Sequence, residues 1–214
     1  MADVRAALVA AGPAEPSPVE AEGFTSAWAS QAELPRNLTA RPSAVLAALY
    51  DHDGEAWVVL TRRSSRLRSH SGEVSFPGGG FDPADGTLWA TALREAHEET
   101  GLDPATVERI GELDHLSTIT SRSFIVPYVG VLPGRPDGLV ANPDEVDAIL
   151  HVPLSELLDP ELFREEQWPI GSALRPIVFF DLVGDTVWGA TASMLRQLLG
   201  LVTGTLGRGQ IDHD

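Results

Sequence analysis

The chain contains no cysteine and no lysine. Without cysteine there can be no disulfide, no thiolate metal ligand and no cysteine nucleophile. Long apolar runs are missing too: residues 44–50 form a continuous apolar stretch, far short of the ~20 residues needed to span a bilayer. The apolar patch at residues 6–11 follows a single Arg5 and is too short and too weakly charged for a secretion signal. A soluble, cytoplasmic protein is the expectation. Positive charge is scarce, with 15 basic residues against 31 acidic ones and a net charge of −16. So acidic a chain repels nucleic acid and anionic lipid, and neither is an expected partner. A phosphate-rich small molecule requires divalent cations or a local basic patch. One such patch exists: all 15 basic residues are Arg, and Arg62, Arg63, Arg66 and Arg68 fall together.

What remains is an ordinary globular mix, 43% apolar and 21% charged over 214 residues. That length suits one domain with long ends. Residues 1–40 are rich in Ala, Pro and Glu and read as an N-terminal arm, with a short helix over 1–11 and an extended stretch over 12–19. Residues 41–202 read as the folded domain, and the Gly-rich polar residues 203–214 as a flexible tail. Within the domain, residues 44–50 and 57–61 flank the turn signal Asp51-His52-Asp53-Gly54 and predict a buried hairpin. Further strands are expected over 73–76, 107–116, 124–131, 146–152 and 176–182. Between the glycine run Gly78-Gly79-Gly80 and residue 101 the spacing of Leu88, Trp89, Ala92, Leu93 and Ala96 predicts a helix. Asp85 is its expected N-cap and Gly101 its C-terminal cap. A short helix over 154–158 and a long one over 188–201 complete the pattern. Strands interleaved with helices indicate a mixed sheet covered by helices.

The helix that ends at Gly101 carries the chemistry. At ~3.6 residues per turn, Glu95, Glu98 and Glu99 stand at i, i+3 and i+4 and share one face. Like charges so placed repel, and a hard divalent cation reverses that cost, because such ions take carboxylate oxygens together with substrate phosphates. The glycine run upstream reads as a loop with almost no side chains, which lets backbone approach a ligand closely.

Together these residues resemble the Nudix box, G-x5-E-x7-R-E-U-x-E-E-x-G-U with U apolar. The match runs through Gly80, Arg94-Glu95-Ala96, Glu98-Glu99 and Gly101-Leu102. The first Glu of the pattern falls on Gly86, with Asp85 just before it as a shifted stand-in. The resemblance implies a Nudix hydrolase: an α/β/α sandwich with a mixed β-sheet, using Mg²⁺ or Mn²⁺ to cleave a nucleoside diphosphate linked to another group. It implies metal ligands at Glu95, Glu98 and Glu99, a part in catalysis for Glu98, and Arg94 as the residue that orients the carboxylates. Glu145 lies where Nudix proteins often carry a further acid, as metal ligand or base.

The stretch from Leu60 to Gly79 resembles L-T-x-R-S-x3-R-x3-G-x3-F-P-G-G, the signature of the coenzyme A diphosphatase branch. Its fixed positions fall on Leu60, Thr61, Arg63, Ser64, Arg68, Gly72 and Phe76-Pro77-Gly78-Gly79. Val187-Trp188-Gly189-Ala190-Thr191-Ala192 is similar to the last helix of that branch. The resemblance implies coenzyme A as substrate and a possible homodimer. Arg63 and Arg68 suit phosphates as fork donors, beside Gly79 and Gly80 as substrate-binding backbone. Two alternatives stay open: the same chemistry on ADP-ribose or a nucleoside triphosphate, and a non-catalytic Nudix-fold binding module. Ser121, Arg122, Ser123 and Tyr128 are further candidates for substrate contact, while His97 is expected at the surface.

Overall fold

Side-chain alternation along one strand organises the molecule. In the computed structural model, which describes residues 1–12, 41–67, 71–118, 123–170 and 173–207, β1 (Arg41–His52) and β2 (Glu55–Arg63) form the expected hairpin. Leu49 stands opposite Val58, and the turn passes through Asp53 and Gly54, both at positive φ, the backbone that a tight two-residue hairpin turn requires. Arg68, His70, Ser121 and Arg122 lie outside the described residues, as do most of the N-terminal arm and the end of the tail.

Ala44, Leu46, Ala48 and Tyr50 of β1 pack with Ala92 and Ala96 of α2 (Leu88–Thr100). Ala47 and Leu49, pointing the other way, pack with Val4 and Leu8 of α1 (Ala2–Ala11) and with Met194, Leu195 and Leu198 of α4 (Gly189–Thr203). Each fully buried Leu or Val here contributes about 1.5–3 kcal/mol. The period of two thus forces helices onto both faces, and the result is the expected α/β/α sandwich. Arg5 of α1 grips Glu108 with two hydrogen bonds of 2.7 and 2.8 Å.

The remaining strands are β3 (Val74–Ser75), β4 (Gly78–Gly80), β5 (Glu108–Glu112), β6 (Leu116–Ser117), β7 (Ser123–Val131), β8 (Val146–Pro153), β9 (Phe163–Ile170), β10 (Ala173–Leu182) and β11 (Asp185–Trp188). The main sheet runs β3-β2-β1-β7-β5, with β4 on β1, β6 on β7 and β8 on β2. The β1–β7 pair is parallel and the other pairs antiparallel, so the sheet is mixed. A second sheet, β11-β10-β9, packs Val178, Phe180 and Val187 into the α4 side of the core.

Several expectations are corrected. The strand expected over 107–116 breaks between β5 and β6, where the Asp114 N–H turns away to the Gln197 side chain of α4 at 2.9 Å. β9 and β11 were not expected; β9 is charged and exposed along most of its length and carries no apolar alternation. The glycine run is not a loop but strand β4, with Gly78 opposite Val45. Asp85 does not cap α2. Thr87 does, its Oγ1 accepting the Ala90 N–H at 3.1 Å, while Asp85 closes a 3-10 turn over Pro83–Asp85. At the other end Gly101 adopts the left-handed cap conformation, φ 72°, as expected. The short helix α3 (Leu154–Leu157) follows β8 directly.

Candidate active site

The last two turns of α2 lie against β4, and the side chain that meets β4 first is Glu95. A Cβ built on Gly79 falls 2.5 Å from Glu95 Cδ, so any larger residue here displaces that carboxylate. One turn on, Glu99 is 3% exposed and its Oε2 accepts the Gly78 N–H at 3.4 Å. A third carboxylate arrives from a segment distant in sequence. The chain leaving residue 138 satisfies the C-terminal carbonyls of α2: the Val140 N–H donates to the Thr100 C=O at 2.9 Å and the Asn142 N–H to the Glu99 C=O at 2.9 Å. A tight turn follows, with the Glu145 and Val146 N–H groups both donating to the Asn142 C=O. It delivers Glu145 to the same spot. One oxygen each from Glu95, Glu99 and Glu145 lies within 4.8 Å of the others.

Glu98 sits apart from that trio. Its side chain is 49% exposed and its Oε2 accepts from Arg94 Nη1 at 2.9 Å. Arg94 is the hub of the helix. Its Nε and Nη2 reach the two oxygens of Asp85 at 2.7 and 3.0 Å, Nη2 also donates to the Gly80 C=O at 3.1 Å, and Nη1 lies 2.9 Å from Glu95 Oε1. Asp85 is held in turn by the Thr91 hydroxyl at 2.8 Å and the Asp82 N–H at 3.2 Å. The acid one residue ahead of Gly86 therefore fixes the guanidinium that orients Glu95 and Glu98. Hydrogen bonding to Arg94 holds the Asp85 carboxyl down at about 2.

Burial has the opposite effect on the trio. It pushes Glu99 up to about 8, with the Arg63 charge pulling the other way and Glu95 and Glu145 adding to the rise. Burial also raises Glu95, against the pull of Arg94. Three crowded carboxylates, one of them deeply buried, form an oxygen-only donor set. Its repulsion is of the kind a hard divalent cation relieves.

The arginine patch divides. Neighbours on a strand point to opposite faces. Arg62 forms an ion pair with Asp185 of β11 at 3.1 Å, while Arg63 bears on Glu99. The Nε of Arg63 is buried and has no hydrogen-bond partner among the described residues. Arg66 is exposed on the following turn. Tyr128 is 1% exposed, covered by Trp89 and by the Arg109 guanidinium 4.7 Å from its ring centre, so it is closed to a ligand. His97 is exposed, with a ring nitrogen 2.9 Å from the Leu102 C=O.

The NUDIX domain family matches residues 40–174, well over half of the chain. The chain is similar to "Nudix hydrolase 15, mitochondrial" of Arabidopsis thaliana, 37% identical over 180 residues, which cover 81% of this chain and 62% of that protein. It is also similar to "Uncharacterized Nudix hydrolase NudL" of Photorhabdus laumondii, 39% identical over 141 residues, or 66% of this chain and 74% of the other. This chain thus spans about three fifths of the plant relative and about three quarters of the bacterial one. Among solved structures, the MutT/nudix family protein from Enterococcus faecalis superposes with a TM-score of 0.51 at 16% identity, covering 84% of this chain and 68% of that one. At that identity the likeness is one of fold.

Proposed function

The chain belongs to the NUDIX domain family, and from that premise we propose that it hydrolyses the diphosphate of coenzyme A or its thioesters, releasing 3′,5′-ADP and a 4′-phosphopantetheine product. The observation that carries this reading is the placement of Arg63. The stretch resembling the coenzyme A diphosphatase signature brings the charge of its first arginine to bear on Glu99, with a buried Nε that has no partner among the described residues, and supplies the glycines against which Glu95 and Glu99 lie. A phosphate needs charged donors beside a metal-binding cluster, and this stretch brings both together.

Glu95, Glu99 and Glu145 would hold Mg²⁺ or Mn²⁺. When bound, the ion supplies positive charge opposite the diphosphate and acidifies water. Arg63 and Arg68 meet phosphate oxygens. Gly79 makes room for the Glu95 carboxylate, and Gly80 offers backbone beside it to the substrate. Arg94, fixed by Asp85, holds Glu95 in place, and half-exposed Glu98 takes the proton of the attacking water. The test is to incubate the purified protein and Mg²⁺ with coenzyme A, ADP-ribose, NADH, nucleoside triphosphates and dinucleotide polyphosphates. Preferential cleavage of coenzyme A supports the reading. Turnover confined to another member of the panel overturns the substrate, and binding without turnover makes the protein a Nudix-fold binding module.

Two further outcomes follow from the same geometry. Asp85→Ala removes the two hydrogen bonds that Arg94 makes to its carboxylate. It should lower turnover at least tenfold and cost about 2 kcal/mol, the scale of hydrogen bonds to a charged group. Gly86→Ala meets open space, since nothing lies within 4 Å of its Cβ, and should lose some stability to its positive φ but little activity. Equal, small effects of the two on turnover would show that Asp85 has no role beyond its turn. The neighbouring glycines part in another way. A Cβ on Gly78 meets backbone, Ala44 O at 2.4 Å and Val45 Cα at 2.6 Å, so Gly78→Ala should cost about 1–3 kcal/mol of stability. The three atoms nearest a Cβ on Gly79 all belong to the Glu95 carboxylate, which can swing away. Gly79→Ala should therefore keep its melting temperature while losing affinity for Mg²⁺, as calorimetry will show.

A further inference from the structure

Arg63 is held in place by a fault in the pairing of β2 with β8. Arg62 stands opposite Ala148, but Arg63 stands opposite Val146, and Asp147 is left over as one extra residue on β8. Such bulges recur beside active sites because they re-aim the chain locally. Here the slip brings the Glu145 C=O opposite the Ser64 N–H, which donates to it at 2.8 Å. The extra residue then uses its own side chain. Asp147 Oδ2 accepts the Ser65 N–H at 2.9 Å. The turn closes with the Leu67 N–H on the Ser64 C=O at 3.1 Å, over a fully buried Ser64. On its other side Arg63 is paired with residues 72 and 73 through its own N–H and C=O.

We propose that Asp147 is a positioning residue, which fastens the turn over residues 64–67 to the strand that carries Glu145 and thereby sets Arg63 against the carboxylate cluster. Asp147 is exposed and is not one of the three carboxylates that converge, so it acts through Arg63. Without this anchor the Ser65 N–H turns to water, the turn loosens, and an arginine in so acidic a chain finds other carboxylates. The inference rests on the reading that Arg63 meets substrate phosphate.

The test keeps the two apart. Binding of inorganic diphosphate in the presence of Mg²⁺ is measured by calorimetry, which needs no turnover. Exchange of the Ser65 amide hydrogen is followed by NMR. Asp147→Ala should speed Ser65 exchange and weaken diphosphate binding about tenfold, the scale of one hydrogen bond to a charged group. Asp147→Asn keeps an oxygen that accepts the N–H and should restore both. The double variant Asp147→Ala/Arg63→Ala should bind no more weakly than Arg63→Ala alone, since residues in one chain of contacts are not additive. Additive losses, unchanged Ser65 exchange in Asp147→Ala, or faster exchange with unaltered binding each overturn the proposal. Absence of coenzyme A cleavage by the wild type overturns the proposed function instead, and leaves the binding result to be read on its own.

Discussion

Glu99→Gln should abolish hydrolysis and leave the metal-free protein at least as stable as the wild type. Both effects come from burial. Glu99 is 3% exposed, and in the fold its carboxyl rises from an ordinary 4.5 to about 8. A carboxyl that binds its proton more tightly when folded stabilises the fold fully below its unfolded pKa. That stability is lost as pH rises through the folded value. With a chelator present, the wild type should thus weaken between about pH 4.5 and pH 8, by up to a few kcal/mol at ~1.4 kcal/mol per unit. Gln has the same shape and no charge, so the variant should lack that slope. Added Mg²⁺ should recover the wild type at pH 8, because an ion that binds only the folded state stabilises it, and should do nothing for the variant. Urea unfolding at pH 5 and pH 8, with and without Mg²⁺, reads all of this. Turnover of Glu99→Gln near the wild-type rate in limiting Mg²⁺ would remove Glu99 from the metal site.

The helix that carries these carboxylates was legible because its information is local. Apolar spacing, Gly101 and the run from Arg94 to Glu99 all lie within one element, and they predict its face and its end. The third carboxylate was not legible in this way. Glu145 joins Glu95 and Glu99 because residues 140 and 142 cap the carbonyls of α2, a pairing between segments some forty residues apart that leaves no periodic trace. Spacing alone groups Glu98 with its neighbours, whereas the fold turns it to Arg94 and solvent. The glycine run misleads for a related reason. It looks like a loop, yet its missing side chains are what allow β4 to lie between β1 and Glu95. The arginine patch also reads as one feature in sequence. Extending the β2 alternation two residues further would have separated Arg62 from Arg63. The bulge at Asp147 depends on β8 and could not have been read from either strand alone.

Arg63→Ala carries the second large effect. A buried Nε without a partner among the described residues is costly in the free protein, and a phosphate oxygen is its natural complement. Loss of a charge-assisted hydrogen bond costs ~1.5–3 kcal/mol, which is about a 10- to 150-fold fall in kcat/KM at 1.4 kcal/mol per factor of ten. The comparison that decides its role uses coenzyme A and dephospho-coenzyme A, which differ only in the 3′-phosphate. Arg63 bears on Glu99, beside the cluster where the scissile diphosphate must sit, so the variant should lose equally on both substrates and the wild-type preference should persist. A loss confined to coenzyme A would place Arg63 on the 3′-phosphate instead. An unchanged kcat/KM for every diphosphate tested would leave the unpartnered Nε a structural feature, and would remove the main physical support for coenzyme A as the substrate.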